Sequence, residues 1–298
     1  MNRSNLIKRL LVFFIGVPVI LCIALVRFHA HIALHVFICL MCAVGACELH
    51  NMFAGKSALH KKGFVVAMTV AIPLAAALYA VVPTFTGGKH LPGITGPEFI
   101  TYTFIVAILI VLAAEVFTAK TFEQSLVRIA TSSFSVLYTG FLLTFLSRMS
   151  YLKNKGQDVS SEALASFLLM VFLCDSLAWF FGVLFGKNNS GFINASPNKS
   201  IAGFIGGFAG SIAAGLLAYY RCPELFAGPL YKIFIISCCT AFAAIIGDLA
   251  ESVFKRSAGV KDSGNIVPGR GGVLDTIDSI LMAGPVFYFL LILLYNPK

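Results

Sequence analysis

F-I-T-Y-T-F-I-V-A-I-L-I-V-L-A-A-E-V-F-T, residues 99–118, decides what kind of molecule this is. A helix of about 20 apolar residues crosses the hydrocarbon core of a bilayer. This run carries one side chain charged at neutral pH, Glu115, near its end. Runs of the same kind occupy 10–28, 31–53, 64–82, 126–146, 164–185, 201–220, 230–250 and 280–295. They are continuous, whereas a membrane β-barrel alternates apolar and polar positions over about ten residues. The predicted fold is all-α, a polytopic membrane helical bundle of about nine transmembrane helices.

Composition points the same way. Of 298 residues, 58% are hydrophobic and 12% charged, and the mean hydropathy is +0.90. Soluble domains carry about 25% charged residues, and disorder requires low hydrophobicity; both are excluded. A net charge of +9 in such a chain reads as orientation rather than nucleic-acid binding, because no basic polar domain interleaved with aromatics accompanies it. Arg3, Lys8 and Arg9 precede the first run as in a signal peptide. That run ends in Arg27 and His29 without a small-residue cleavage site, so a retained first helix is expected. With the N-terminus inside, the larger share of Lys and Arg falls on cytoplasmic loops, which include those after helices six and eight. The eight Cys lie in or beside apolar runs, and the lone C-x-x-C of Cys39 and Cys42 has no second pair to build a zinc site. His31 and His35 are four apart but lack the H-E-x-x-H pattern of a metalloprotease.

Chemistry is distributed unevenly. Five of the six Asp residues lie beyond position 174, and all six His lie within the first 90. We therefore expect residues 1–150 to be membrane scaffold and 151–298 a catalytic membrane core. Glu48 and Glu115 read as lone acids near inner helix ends, at the interface. Gly203, Gly206, Gly207 and Gly210 have the spacing that lets helix backbones approach closely, with a glycine-lined ligand surface as the alternative.

The richest stretch is G-D-L-A-E-S-V-F-K-R-S-A-G-V-K-D-S-G-N-I-V-P-G-R-G-G-V-L-D-T-I-D, residues 247–278. Asp248, Glu251, Ser252 and Lys255 share one helical face. Two carboxylates at the end of an apolar span need compensation, since a charge at a span centre costs about 2.5–3.5 kcal/mol on insertion scales. A glycine-rich loop carrying Lys255, Arg256, Lys261 and Arg270 follows, its Gly264, Gly269, Gly271 and Gly272 expected to expose backbone N–H groups. Asp275 and Asp278 then stand at the mouth of helix nine. Carboxylates beside cations and glycines suit a metal–polyphosphate site, holding a hard cation such as Mg²⁺ through oxygen. An ordinary charged loop with acids at a helix start is the simpler alternative. Asp175, inside helix six, is a functional candidate by its depth. The S-P-N-K-S segment, Ser196 to Ser200, with Lys199 between, enters helix seven and either holds an anion on backbone N–H groups or simply caps the helix.

The segments G-D-L-A-E-S-V-F-K-R, G-V-K-D-S-G and P-G-R-G-G-V-L-D-T-I-D resemble the signature of the phosphatidate cytidylyltransferase (CDP-diacylglycerol synthase) family. Weaker similarity reaches back through Ser196–Ser200 to Asp175, about the last 125 residues. The resemblance implies a Mg²⁺-dependent reaction, with one or two cations, in which CTP and phosphatidate give CDP-diacylglycerol and pyrophosphate. It implies a bacterial inner-membrane protein, often a homodimer, with its site facing the cytoplasm. By motif, Asp248 and Asp275 become catalytic metal ligands, with Glu251 and Asp278 beside them. Lys255 and Lys261 join the catalytic set. Ser196, Lys199, Ser200, Arg256, Arg270 and Asp175 serve substrate. Three positions depart from the pattern: Arg270 stands where the family has His, Thr276 where it has Arg, and Ala202 where it has Glu. Other readings of the acids are a CTP-dependent kinase or cytidylyltransferase for another lipid, an ion-coupled transporter, or an inactive scaffold.

Overall fold

A computed structural model describes residues 12–88, 93–191 and 193–297. Arg3, Lys8 and Arg9, named above, and the start of the first apolar run lie outside them. A π-helical turn, Val12–Gly16, leads into α1 (Val17–Leu25). Then follow α2 (Ile32–Ala54), α3 (Lys62–Phe85), α4 (Gly96–Thr118), α5 (Ser125–Ser135), a π-helical segment (Val136–Phe141) and α6 (Thr144–Met149). A hairpin of β1 (Lys153–Asn154) and β2 (Gln157–Asp158) precedes α7 (Ser160–Phe185), α8 (Ile201–Arg221), α9 (Leu230–Ala258) and α10 (Leu274–Tyr295). Taking α5 and α6 as one span, eight of these helices are long and apolar enough to cross a membrane among the described residues. The apolar helix at 14–25 is shorter. Large apolar side chains such as Phe117, Val116 and Leu293 point outward, as a lipid-facing surface requires. The protein is an integral membrane protein.

Local sequence explains the helix ends. Thr95 caps α4 in a capping box: its hydroxyl accepts from Glu98 N–H at 3.4 Å, and the Glu98 carboxylate accepts from Thr95 N–H at 2.8 Å. The span expected at 126–146 is not a single α-helix. It loosens into π geometry where Gly140 meets α3, so closely that a Cβ there would lie 2.8 Å from the Thr69 carbonyl oxygen. Helix α9 runs to Ala258 and ends before Gly259, whose φ is +73°. Lys255 and Arg256, expected in the loop, therefore stand on the last turns of α9, because nothing before Gly259 breaks the helix.

The chain divides into two compact units. The first, among the described residues, comprises 26–150 and 258–276. It holds α2 to α6 and the glycine-rich loop, with a core that includes Ile72, Ala76, Ile100, Ala107 and Val136. The second comprises 12–25, 151–257 and 277–297, that is α1, α7, α8, most of α9 and the body of α10. Its closest packing joins α7 to α8. Cβ atoms at Gly203, Gly206 and Gly210 would press on the carbonyls of Ala178, Leu177 and Leu173. The glycine stripe thus serves backbone approach, as its spacing predicts. All eight cysteines are free.

Candidate active site

In the second unit, three helices and one loop bring four acids and two lysines together. Gly247 on α9 sits against the first turns of α10. A Cβ at 247 would overlap the Asp278 carbonyl oxygen and lie 3.1 Å from both the Asp278 carbonyl carbon and Met282 Cβ. That approach carries Asp248 and Glu251 towards Asp278, and the charges of Asp248, Glu251 and Asp175 all bear on it. Asp175, on α7, accepts a hydrogen bond from Ser279 Oγ at 3.2 Å. Lys199, just before α8, places Nζ 2.5 Å from Asp248 Oδ2. Lys255 pairs with the fully buried Glu251 one turn away on α9. Like-charged carboxylates at this depth are costly unless paired. Two ammonium groups against four carboxylates leave the cluster acid-rich.

The donors are all carboxylate oxygens, the type that hard cations prefer. Among the described residues no three His, Cys, Asp or Glu side chains converge on one metal position. A Mg²⁺ ion that shares its coordination with substrate phosphates and water needs only one or two carboxylates, and this cluster meets that condition. Asp248 is accessible, with 40% of its side chain exposed, and Asp175 is partly buried, whereas Glu251 and Asp278 are buried.

Around α8 the simple capping alternative describes what is seen. The Ser200 hydroxyl is buried and accepts from Gly203 N–H at 3.1 Å. The Asn189 carbonyl accepts from Ile201 N–H at 3.1 Å, and Asn189 Oδ1 accepts from Ala202 N–H at 3.4 Å. The first amides of α8 are thus used by the protein itself. Ser196 turns the preceding segment, its carbonyl accepting from Lys199 N–H at 3.1 Å. Arg256 is exposed and lies 3.5 Å from the Ala195 carbonyl through Nε.

In the first unit, the glycine-rich loop is pinned by two carboxylates. Asp275 Oδ2 accepts from Ser263 N–H at 2.8 Å and Gly272 N–H at 2.7 Å, with Ser263 Oγ 2.9 Å away. Glu48 reaches the same loop from α2. Its Oε1 accepts from Val273 N–H at 3.0 Å and its Oε2 from Leu274 N–H at 2.8 Å. The glycine-rich turn was expected to offer open amides to phosphate; those of 272–274 instead meet these two acids. Lys261, Asp262 and Arg270 sit on the exposed face of the loop. Thr276, at the position of the family's Arg, donates its hydroxyl to the Gly272 carbonyl at 3.1 Å.

Glu48 and Glu115 correct the sequence reading. Neither is a lone acid; both are buried against protein partners. Glu115 takes a two-pronged contact from Arg128 (2.6 and 3.1 Å) and lies 3.0 Å from His60 Nε2. A carboxylate inside an otherwise apolar run was the available signal for both. For Glu48 the partners come from more than 200 positions away, which local pattern cannot reveal.

A model of the cytidylyltransferase family matches residues 7–294. The chain belongs to this family. A phosphatidate cytidylyltransferase of Rickettsia bellii is 38% identical over 146 residues, covering 44% of this chain and 61% of that protein. One from Bacillus subtilis is 33% identical over 189 residues, covering 63% and 67%. One from Thermotoga maritima is 35% identical over 179 residues, covering 57% and 62%. The chain thus spans about three fifths to two thirds of the length of these relatives.

Proposed function

We propose that this family member is a phosphatidate cytidylyltransferase. It joins CTP to phosphatidate in a bacterial inner membrane, with its polar cluster facing the cytoplasm. The observation that carries the reading is the acid-rich cluster of Asp175, Asp248, Glu251 and Asp278, with Lys199 and Lys255, inside an apolar helical unit. Such a cluster suits a polyanionic nucleotide brought in with a cation. The names of the curated relatives support the choice of lipid substrate.

A phosphatidate oxygen attacks the α-phosphorus of CTP. A new P–O bond forms, the α–β anhydride bond breaks, and its electron pair leaves with pyrophosphate. The attacking phosphate is already ionised near neutral pH, so no strong base is required. The protein's work is positioning and charge stabilisation. Asp248 is our assigned cation ligand in its unit, with Glu251 and Asp278 as the acids behind it and Asp275 carrying the family's second motif acid. A Mg²⁺ ion held by Asp248 would supply neutralisation of phosphate charge. Lys199, paired with Asp248, is our assigned partner for a phosphate oxygen. Lys255 pairs with Glu251. By motif we assign Arg256 of this unit, and Lys261 and Arg270 of the glycine-rich loop, to phosphate charge.

The test is incorporation of label. Purified protein, α-labelled CTP, phosphatidate and Mg²⁺ should give an organic-extractable labelled product, lost on chelation with EDTA and restored by Mg²⁺. Asp248→Asn and Asp275→Asn should each lower the rate by at least about 10²-fold, the scale of losing a charge-stabilising group. Full activity in both variants rules out the assigned acids. Label entering lipid only from γ-labelled CTP identifies a kinase instead.

A further inference from the structure

Glu48 is a buried carboxylate on α2 whose hydrogen-bond partners among the described residues belong to the segment 263–274. It accepts the N–H of Leu274, the first residue of α10, and of Val273 just before it. A carboxylate at a helix N-terminus satisfies donors the helix cannot and complements its dipole. Here the cap comes from another helix rather than from the adjoining chain. Glu48 Oε2 also lies 3.1 Å from Ser263 Oγ at the opposite end of the loop. That hydroxyl has one proton to share between Glu48 and Asp275.

Two glycines leave room for this carboxylate, and Gly272 also for Ser263 Oγ. A Cβ at Gly264 would lie 2.9 Å from Glu48 Cδ, and one at Gly272 would lie 2.7 Å from it. Neither has positive φ; what each provides is space. Glu48 therefore clamps both ends of the segment 263–274; Arg270 stays exposed between them, and Lys261 and Asp262 stay exposed immediately before Ser263.

We propose that Glu48 is a positioning residue of the transfer reaction: by clamping the loop ends it presents Lys261 and Arg270 to the nucleotide in ordered form. The proposal rests on the cytidylyltransferase reading above. Ordering a loop costs conformational entropy for every residue fixed. Without the clamp, that cost falls on nucleotide binding and not on the lipid.

The experiment compares wild type, Glu48→Gln and Glu48→Ala in the same detergent, measuring KM for CTP, KM for phosphatidate and deuterium uptake of the loop peptides. Glu48→Ala should raise KM for CTP about tenfold or more, equivalent to about 1.4 kcal/mol, and leave KM for phosphatidate within about twofold. Uptake in the loop should rise. Glu48→Gln keeps one acceptor oxygen and should fall between. Should Glu48→Ala fail to fold, Glu48→Gln and Ser263→Ala must show the same split. Unchanged KM for CTP, or equal rises for both substrates, overturns the proposal. A wild type that incorporates no label overturns the proposed function instead.

Discussion

Gly247→Ala should separate α9 from α10 and disarm Asp248. The added Cβ would overlap the Asp278 carbonyl oxygen and crowd Met282 Cβ at 3.1 Å. The first obstacle is backbone, so relief requires α9 to recede by about 1 Å. Overpacking of this kind costs about 1–3 kcal/mol. The gain in helix propensity from Gly to Ala returns about 0.5–1 kcal/mol. A net loss of about 0.5–2 kcal/mol corresponds to a fall in Tm of a few °C, at about 2–4 °C per kcal/mol for a body of 150–250 residues. The kinetic effect should be larger, since a 1 Å misplacement can cost about 10²-fold in rate. Gly63→Ala on α3 is the control: nothing lies within 4 Å of its Cβ position, and a gain of up to about 1 kcal/mol is expected. Thermal unfolding in one detergent and α-labelled CTP incorporation read both variants. If Gly247→Ala melts and turns over like wild type, the close approach of α9 and α10 does not position Asp248.

Other outcomes follow from particular contacts. Lys199→Met removes the ammonium from Asp248; half-maximal activity should then need less Mg²⁺, while kcat/KM for CTP falls, and a higher Mg²⁺ requirement would contradict the pairing. Gly210→Ala puts a Cβ onto the Leu173 backbone and should destabilise by about 1–3 kcal/mol; an unchanged unfolding midpoint in denaturant would show that α7 and α8 can part at no cost. Glu115→Gln weakens the contacts to Arg128 and His60 and should lower the melting temperature with KM for CTP unchanged, so a selective change in KM would tie this cluster to the site.

Long apolar runs were legible as helices because a membrane leaves the backbone no other way to satisfy its own hydrogen bonds along a single continuous segment. Asp248, Glu251 and Lys255 were legible as one face because i, i+3 and i+7 are neighbours on any helix. The Lys199–Asp248 pair and the Asp175–Ser279 contact could not be read that way. Each joins residues tens of positions apart, and spacing along one chain says nothing about which helices become neighbours. The glycines of the loop illustrate the difference. Their number suggested open amides for phosphate, yet Gly264 and Gly272 are small because Glu48 occupies the space beside them.

Hydropathy and helical periodicity therefore determine that this chain forms membrane helices and which acids ride on each. Which acid is exposed, which is clamped, and which lysine neutralises it depend on how the helices pack. Burial and pairing energies are properties of that three-dimensional neighbourhood, and a buried carboxylate such as Glu48 acquires its role only from partners that folding delivers.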